Sequence, residues 1–335
     1  MKAIQIDRHS KTDLSVKIKE VAIPQLADNE VLVKVKTAGV NPLDNMITRG
    51  EVKLITPYAF PLTMGNEMAG VVEKVGRNVT DFKTGDRVFA RLPLNKIGAF
   101  AEYVAVDKGA LAHIPAYLSF AEAAAVPLTG LTAYQALEIL QPKAGETIFI
   151  SGGTGGFGAM AIPIAKVMGL KVITNGNLAN KERVMQLGAD RFLDYKTEDY
   201  TQVLSDVDYV IDTLGGKELE KQFTILKKGG KLVSLKGMPN GRFAKKMNLA
   251  WWKKIIFGLV GKKFDAMAKK NQQEYHFIFV TSNGKQLSEV AKILEQHQVK
   301  PSIDSVFPFE QASEALHKIA HKPSQGKTVL SLEHL

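Results

Sequence analysis

With 335 residues, 45% hydrophobic and 23% charged, the chain is long enough for two cored domains and has the composition of a folded protein. No run of about 18 apolar residues occurs, so no membrane-spanning helix is expected; the absence of cysteine excludes disulfides and every thiolate-ligated metal site. The net charge of +10 is concentrated between positions 240 and 270, where nine lysines and arginines stand against Asp265 alone.

Residues 1–7 alternate as a strand does and lack the apolar core of a secretory signal, so residence in the cytoplasm is expected. Short β-type runs follow at 1–6, 14–21, 30–38, 69–75, 87–90 and 100–105. Turn residues such as Asp28-Asn29, Gly76-Arg77-Asn78 and Thr84-Gly85-Asp86 punctuate them, which predicts a compact, barrel-like β domain. From Phe120 onward helix and strand patterns alternate, with β-type cores at 147–151, 171–174, 191–194, 208–211, 231–235 and 276–280. Six such strands with intervening helices predict an α/β fold with a doubly wound parallel sheet. The expected division is residues 1–121 with 283–335, and 122–282; after a helix near 285–298, short β pieces at 302–308 and 328–332 return to the first domain.

The most specific pattern is Thr147-Ile148-Phe149-Ile150-Ser151-Gly152-Gly153-Thr154-Gly155-Gly156-Phe157-Gly158. An apolar strand empties into glycines that open a helix predicted over 157–168. Gly153, Gly155 and Gly158 fit G-x-G-x-x-G: the first allows the tight turn, the second lets backbone approach a pyrophosphate, and the third lets helix pack on strand. The N–H groups and positive dipole end of that helix then face the diphosphate. A second β-type run at 171–174 completes the βαβ unit, which reads as dinucleotide binding.

An NAD-binding chain usually carries Asp or Glu at the end of that second strand to hold the ribose hydroxyls. Here the segment reads Thr174-Asn175-Gly176-Asn177, then Leu178-Ala179-Asn180-Lys181-Glu182-Arg183. A carboxylate would repel a 2′-phosphate, whereas Asn and Lys donate to it, so NADP(H) is the expected cofactor. Lys181 and Arg183 also read as solvated charges on the next helix. In the basic segment, Trp251, Trp252, Ile255, Ile256, Phe257, Leu259 and Val260 interleave with the lysines. Such a segment either rests on an anionic membrane or polyanion, or packs its apolar side on its own protein, near a subunit contact or the cleft, with solvated lysines outside. The second is the expectation, with no nucleic-acid partner and surface association as the alternative.

Ala38-Gly39-Val40-Asn41-Pro42-Leu43-Asp44, Gly65-Asn66-Glu67-Met68-Ala69-Gly70, Pro127-Leu128-Thr129-Gly130-Leu131-Thr132-Ala133 and Gly326-Lys327-Thr328-Val329-Leu330 add further motifs to the glycine loop. Together they resemble the medium-chain dehydrogenase/reductase superfamily over essentially the full chain. The chain looks most like the zinc-free quinone oxidoreductases of the zeta-crystallin type. That resemblance implies a GroES-like barrel domain beside a Rossmann domain, NADPH-dependent reduction of quinones and conjugated carbonyls, and a homodimer. In the zinc alcohol dehydrogenase branch the positions of Asn41 and Asn66 carry a thiolate and an imidazole ligand. A carboxamide is a poor zinc ligand, and Glu67 alone does not hold the ion, so no metal is expected.

The resemblance also implies site residues. Gly153, Thr154, Gly155, Gly156, Phe157 and Gly158 would bind the diphosphate, with Asn175 beside them, and Asn177, Lys181 and Tyr195 would approach the 2′-phosphate. Thr129 would touch the nicotinamide side, Asn41 and Asp44 would line the cofactor end of the cleft, and Lys327 would reach the cofactor phosphates or carboxamide. Leu214, Gly237 and Val280 sit after the fourth, fifth and sixth strands, where open sheets bind ligands.

Without a metal Lewis acid, quinones, enones and enals are easier hydride acceptors than simple ketones, because conjugation spreads the developing charge. Asn41 and Asn66 are candidate donors to the substrate carbonyl, and Tyr58 or solvent is the candidate proton source. An enoyl-thioester reductase of the same superfamily and a non-catalytic NADPH-dependent binding protein are the competing readings.

Overall fold

The structure of the protein is a computed structural model that describes residues 1–12, 14–322 and 326–335. The chain forms two compact units, Met1–Leu131 with Thr281–Leu335, and Thr132–Val280.

The first unit opens with β1 (Lys2–Ile6), β2 (Lys17–Glu20), β3 (Glu30–Val40), helix α1 (Pro42–Arg49), β4 (Leu62–Thr63), β5 (Glu67–Val75), β6 (Arg87–Arg91), β7 (Tyr103–Asp107) and β8 (Leu111–His113). Helix α2 (Phe120–Ala124) follows, and α3 (Pro127–Leu140) begins in this unit and continues into the second. Strands β2, β1 and β4 pair antiparallel as one small sheet. Helix α1 starts where its sequence says it must: Asn41 is the N-cap, Pro42 takes the first position and Asp44 closes a capping box. It stops at Gly50, whose φ of 73° suits glycine.

In the second unit, β9 (Thr147–Ile150), β10 (Lys171–Gly176), β11 (Arg191–Asp194), β12 (Val207–Asp212), β13 (Leu226–Ser234) and β14 (Glu274–Phe277) form one sheet in the order β11-β10-β9-β12-β13-β14. Every pairing is parallel. Central β9 buries Ile148, Phe149 and Ile150 completely, which is why it reads as an uninterrupted apolar run rather than an alternating one. The helices are α4 (Gly156–Val167), α5 (Lys181–Gln186), α6 (Tyr200–Val203), α7 (Gly216–Ile225), α8 (Gly241–Lys246), α9 (Trp251–Val260) and α10 (Lys262–Lys270). Phe149, Leu193, Phe223, Leu232, Phe264 and Tyr275 belong to one buried cluster against the sheet.

One expectation fails here. The apolar side chains of α9 do not pack on their own unit: only Phe257 is buried, while Trp251 is 74% and Leu259 68% exposed.

The chain ends with α11 (Gly284–Gln296), β15 (Ile303–Pro308), α12 (Ala312–His321) and β16 (Lys327–Ser331). These belong to the first unit, whose larger sheet runs β15-β16-β3-β5-β6-β8, with β7 also on β3. The register of that sheet matters for the site. Strand β16 pairs Thr328 with Val40, β5 pairs Glu67 with Gly39, and β6 pairs Arg91 with Glu67. Four sequence-distant polar residues, Asn41, Glu67, Arg91 and Lys327, are thereby brought to one end of the strands.

Candidate active site

In the second unit Gly153 and Gly158 are required by close packing. A Cβ on Gly153 would lie 2.1 Å from Thr174 Oγ1, and one on Gly158 would lie 2.1 Å from the carbonyl oxygen of Gly153. Gly158 thus lets α4 press against the turn that leaves β9. Gly155 differs: a Cβ there would meet nothing nearer than the Gly152 carbonyl oxygen at 3.8 Å. The space it opens is kept free by the absence of a side chain, and it lies at the N-cap of α4, where no side chain caps the first turn. Orphan N–H groups and a positive dipole end at an open turn make an anion cradle.

Side chains hold the cradle in shape. Gly152 N–H donates to Asn175 Oδ1 at 2.8 Å and Gly153 N–H to Thr174 Oγ1 at 3.1 Å. Arg183 donates to the Thr154 carbonyl at 2.5 Å, so it braces the loop rather than standing in solvent. Asp212, fully buried at the end of β12, accepts from the N–H groups of Leu214 and Gly215, from Gln222 and from Ser234, and so sets the next turn. A cavity of about 910 Å³ opens along these strand ends. Gly152, Thr154, Gly155, Asn175, Tyr195 and Leu214 line it together with three lysines, at 196, 221 and 236, and three acids, at 198, 199 and 218.

Asn177 instead caps a short turn through Ala179 N–H, and Lys181 is exposed at the start of α5; neither is among the lining residues. Lys196, which sequence reasoning passed over, lies next to Tyr195 on the cavity wall. Gly237 is required by packing, since a Cβ there would lie 2.3 Å from the Tyr275 hydroxyl. Val280 is buried. The cradle and this wall fit a dinucleotide.

In the first unit a buried polar network surrounds the N-terminus of α1. The Asp44 carboxylate accepts from Asn41 N–H and from Asn66 Nδ2, each at 2.7 Å. Fully buried, it is pushed up to about 7, because desolvation disfavours its charge more than these bonds favour it. Glu67, also fully buried, accepts from Leu128 N–H at 2.6 Å, from Asn41 Nδ2 at 2.8 Å and from the Lys327 ammonium. Gly39 makes room for it: a Cβ there would lie 2.4 Å from Glu67 Oε1.

Lys327 also donates to Asn41 Oδ1, so the ammonium expected to reach cofactor phosphates is engaged on Glu67 and Asn41. Asn41 Nδ2 has both N–H groups engaged, one on Glu67 and one on the Gly39 carbonyl at 3.3 Å. As a donor to a substrate carbonyl, Asn41 therefore has nothing to offer in this arrangement. Asn66 keeps a second amide N–H beyond the one given to Asp44, and its Oδ1 has no partner among the described residues. Thr129 gives its hydroxyl proton to the Ala125 carbonyl at 2.8 Å and is left as an acceptor. Tyr58 is half-buried, which raises its phenol above the usual range.

Sequence reasoning missed Arg91. It is fully buried, its Nη1 donates to the Leu92 carbonyl, and its Nε and Nη2 have no partner among the described residues. Burial pulls its guanidinium down to about 10, while Tyr58, Glu67 and Asp44 hold the charge in place. A basic residue closing the apolar run Val88-Phe89-Ala90 was the available signal.

The superfamily's zinc does not fit this donor set. Carboxamides stand at two ligand positions, and the remaining carboxylate, Glu67, carries an ammonium on the oxygen a metal would need. Among the described residues no group of three or more His, Cys, Asp or Glu is arranged to hold a metal.

Comparison with known proteins agrees with the fold. Residues 27–116 match the alcohol dehydrogenase GroES-like domain and residues 187–330 the zinc-binding dehydrogenase family. The 2-methylene-furan-3-one reductase of Solanum lycopersicum is 32% identical over 98% of this chain and 79% of its own length. The chloroplastic NADPH-dependent alkenal/one oxidoreductase of Arabidopsis thaliana is 31% identical over the same shares. The structure of the quinone oxidoreductase from Coxiella burnetii superposes with a TM-score of 0.83 at 27% identity, covering 99% of both chains. The chain belongs to the medium-chain dehydrogenase/reductase superfamily, in its quinone oxidoreductase-like branch. No helix among the described residues is long and apolar enough to cross a membrane.

Proposed function

We propose that this protein uses NADPH, without a metal, to reduce a quinone or an α,β-unsaturated carbonyl. The observation that carries the reading is the open cradle at Gly155, shaped by Asn175, Thr174 and Arg183. The names of the relatives support the acceptor class. When bound, the nicotinamide supplies the hydride.

The chain's own residues supply binding and electrostatics. Backbone N–H groups at the start of α4 hold the pyrophosphate. Lys196 on the cavity wall, and Lys181 standing off it at the start of α5, are the cations assigned to a 2′-phosphate; no carboxylate at 175–177 opposes it, while Glu198 and Asp199 share the wall with Lys196. Among the described residues of the first unit, the buried nitrogen donors without partners include the second N–H of Asn66 and the Nε and Nη2 groups of Arg91. These are the groups suited to stabilise negative charge on a carbonyl oxygen, and burial strengthens them. Tyr58, whose raised phenol stays protonated at neutral pH, is the candidate proton source beside Arg91. A cytoplasmic homodimer is part of the proposal, which fractionation and sedimentation velocity test.

The test is oxidation of NADPH and of NADH against a 1,4-quinone, an enone, an enal and a crotonyl thioester. Turnover of quinone or enone with NADPH preferred, and weakened NADPH binding in Lys196→Ala and Lys181→Ala, is the expected result. Equal affinity for both cofactors removes the phosphate assignment, and turnover of the thioester alone points to an enoyl-thioester reductase instead.

A further inference from the structure

Helix α9 presents its apolar face outward. At 100° per residue, Trp251, Trp252, Ile255, Ile256, Leu259 and Val260 fall on one half of the helix circumference. Their exposures run from 36% at Ile256 through 56% at Ile255 to 74% at Trp251. The buried side belongs to Phe257, which meets Phe243 edge-on with centroids 6.0 Å apart. A surface helix normally turns its apolar stripe to the core. Contiguous exposed apolar surface of this kind marks an interaction site.

Charge identifies the occupant. Lys253, Lys254 and Lys262 flank the apolar face, and α8 and α10 add four further lysines at positions 245, 246, 269 and 270. Among the described residues none of these seven pairs with a carboxylate; Glu274 is engaged by Arg242, Glu220 by Lys263 and Asp265 by the Asn240 amide. Lys253 Nζ lies 5.4 Å from the Trp252 ring centroid, which sets an ammonium beside an exposed indole. A second copy of the chain seated here would bring two such basic surfaces together without counter-charge. An anionic bilayer surface satisfies both features, since acyl chains take the apolar face and headgroup phosphates take the lysines.

We propose that α9 docks the protein flat on an anionic lipid surface, with Trp251, Ile255 and Leu259 in the interfacial layer. With 10 residues, the helix is far too short to span a bilayer and suited to lie in its plane.

Trp251 and Trp252 are the only two tryptophans, so the protein's indole emission reports this face alone. The experiment is co-sedimentation of the full chain with vesicles of phosphatidylcholine mixed with phosphatidylglycerol, and with phosphatidylcholine alone, followed by tryptophan fluorescence. Binding to the mixed vesicles only, a blue shift of emission and release at high salt are expected. Trp251→Ser with Leu259→Ser should weaken binding roughly tenfold per substitution. Replacing Lys253, Lys254 and Lys262 by Gln should weaken it roughly fivefold per lysine. Both variants should melt as the parent does. No sedimentation with either vesicle, or unchanged binding of the serine variant, overturns the proposal. So does an emission already blue-shifted without lipid in a dimer that the serine variant dissociates, because a second copy then covers the face.

Discussion

Two single-methyl substitutions in the glycine loop separate folding from cofactor binding. Gly155 has φ −85° and ψ 178°, a conformation open to any residue, and a methyl placed on it would have its nearest neighbour 3.8 Å away. Gly155→Ala should therefore leave stability unchanged or raise it by about 0.4–1 kcal/mol, through lost freedom of the unfolded chain. The same methyl would occupy the space proposed above for the pyrophosphate. If it displaces the ligand at a penalty of about 1–3 kcal/mol, NADPH affinity falls about 5- to 150-fold. Gly158→Ala puts its methyl 2.1 Å from the Gly153 carbonyl oxygen and 2.5 Å from Gly153 Cα, backbone atoms that yield only if the turn moves. Stability and affinity should then fall together. Thermal melting with NADPH fluorescence titration reads both quantities. Parental affinity in a folded Gly155→Ala protein would refute the cradle assignment.

Three further outcomes follow from the buried network. Lys327→Met leaves Glu67 without its cation and should destabilise the protein by about 3–5 kcal/mol in urea unfolding, with partial recovery when Glu67→Gln is added; strictly additive losses would show that the pair is not coupled. Asp44 has a folded pKa of about 7 against an unfolded value of 3.8, so its charge is better tolerated in the unfolded chain. That contribution is absent below about pH 4, destabilises progressively as pH rises to about 7 and is constant above it, amounting to at most about 4 kcal/mol. Urea midpoints at pH 5 and 8 should converge in Asp44→Asn; an identical pH dependence in the variant removes Asp44 as the source. Arg91→Met takes a half-satisfied buried guanidinium out of an interior, so stability should hold or rise while kcat/KM falls about 10- to 100-fold with NADPH affinity retained. Unchanged kcat/KM would free Arg91 of any role in charge stabilisation.

Local signals in the chain determined much of this molecule. The apolar run at 147–150 followed by Gly153, Gly155 and Gly158 specifies a strand, a tight turn and a close-packed helix, because each requirement is met by residues a few positions apart. The parallel sheet is similarly legible: strands buried on both faces are written as short apolar runs separated by helical periods. Only tertiary structure decided what the polar residues do. Asn41 looked like a free amide, yet its N–H groups are engaged on Gly39 and Glu67 and its oxygen on Lys327, 286 positions away. Strand register made that arrangement, and the same register set Arg91 opposite Glu67. The outward face of α9 belongs to the same class: periodicity identifies an apolar stripe, but its direction depends on which neighbouring residue, here Phe257, finds a pocket to fill. Hydrogen bonds and burial join groups by distance in space, and a linear chain records that distance only where neighbours in sequence are also neighbours in the fold.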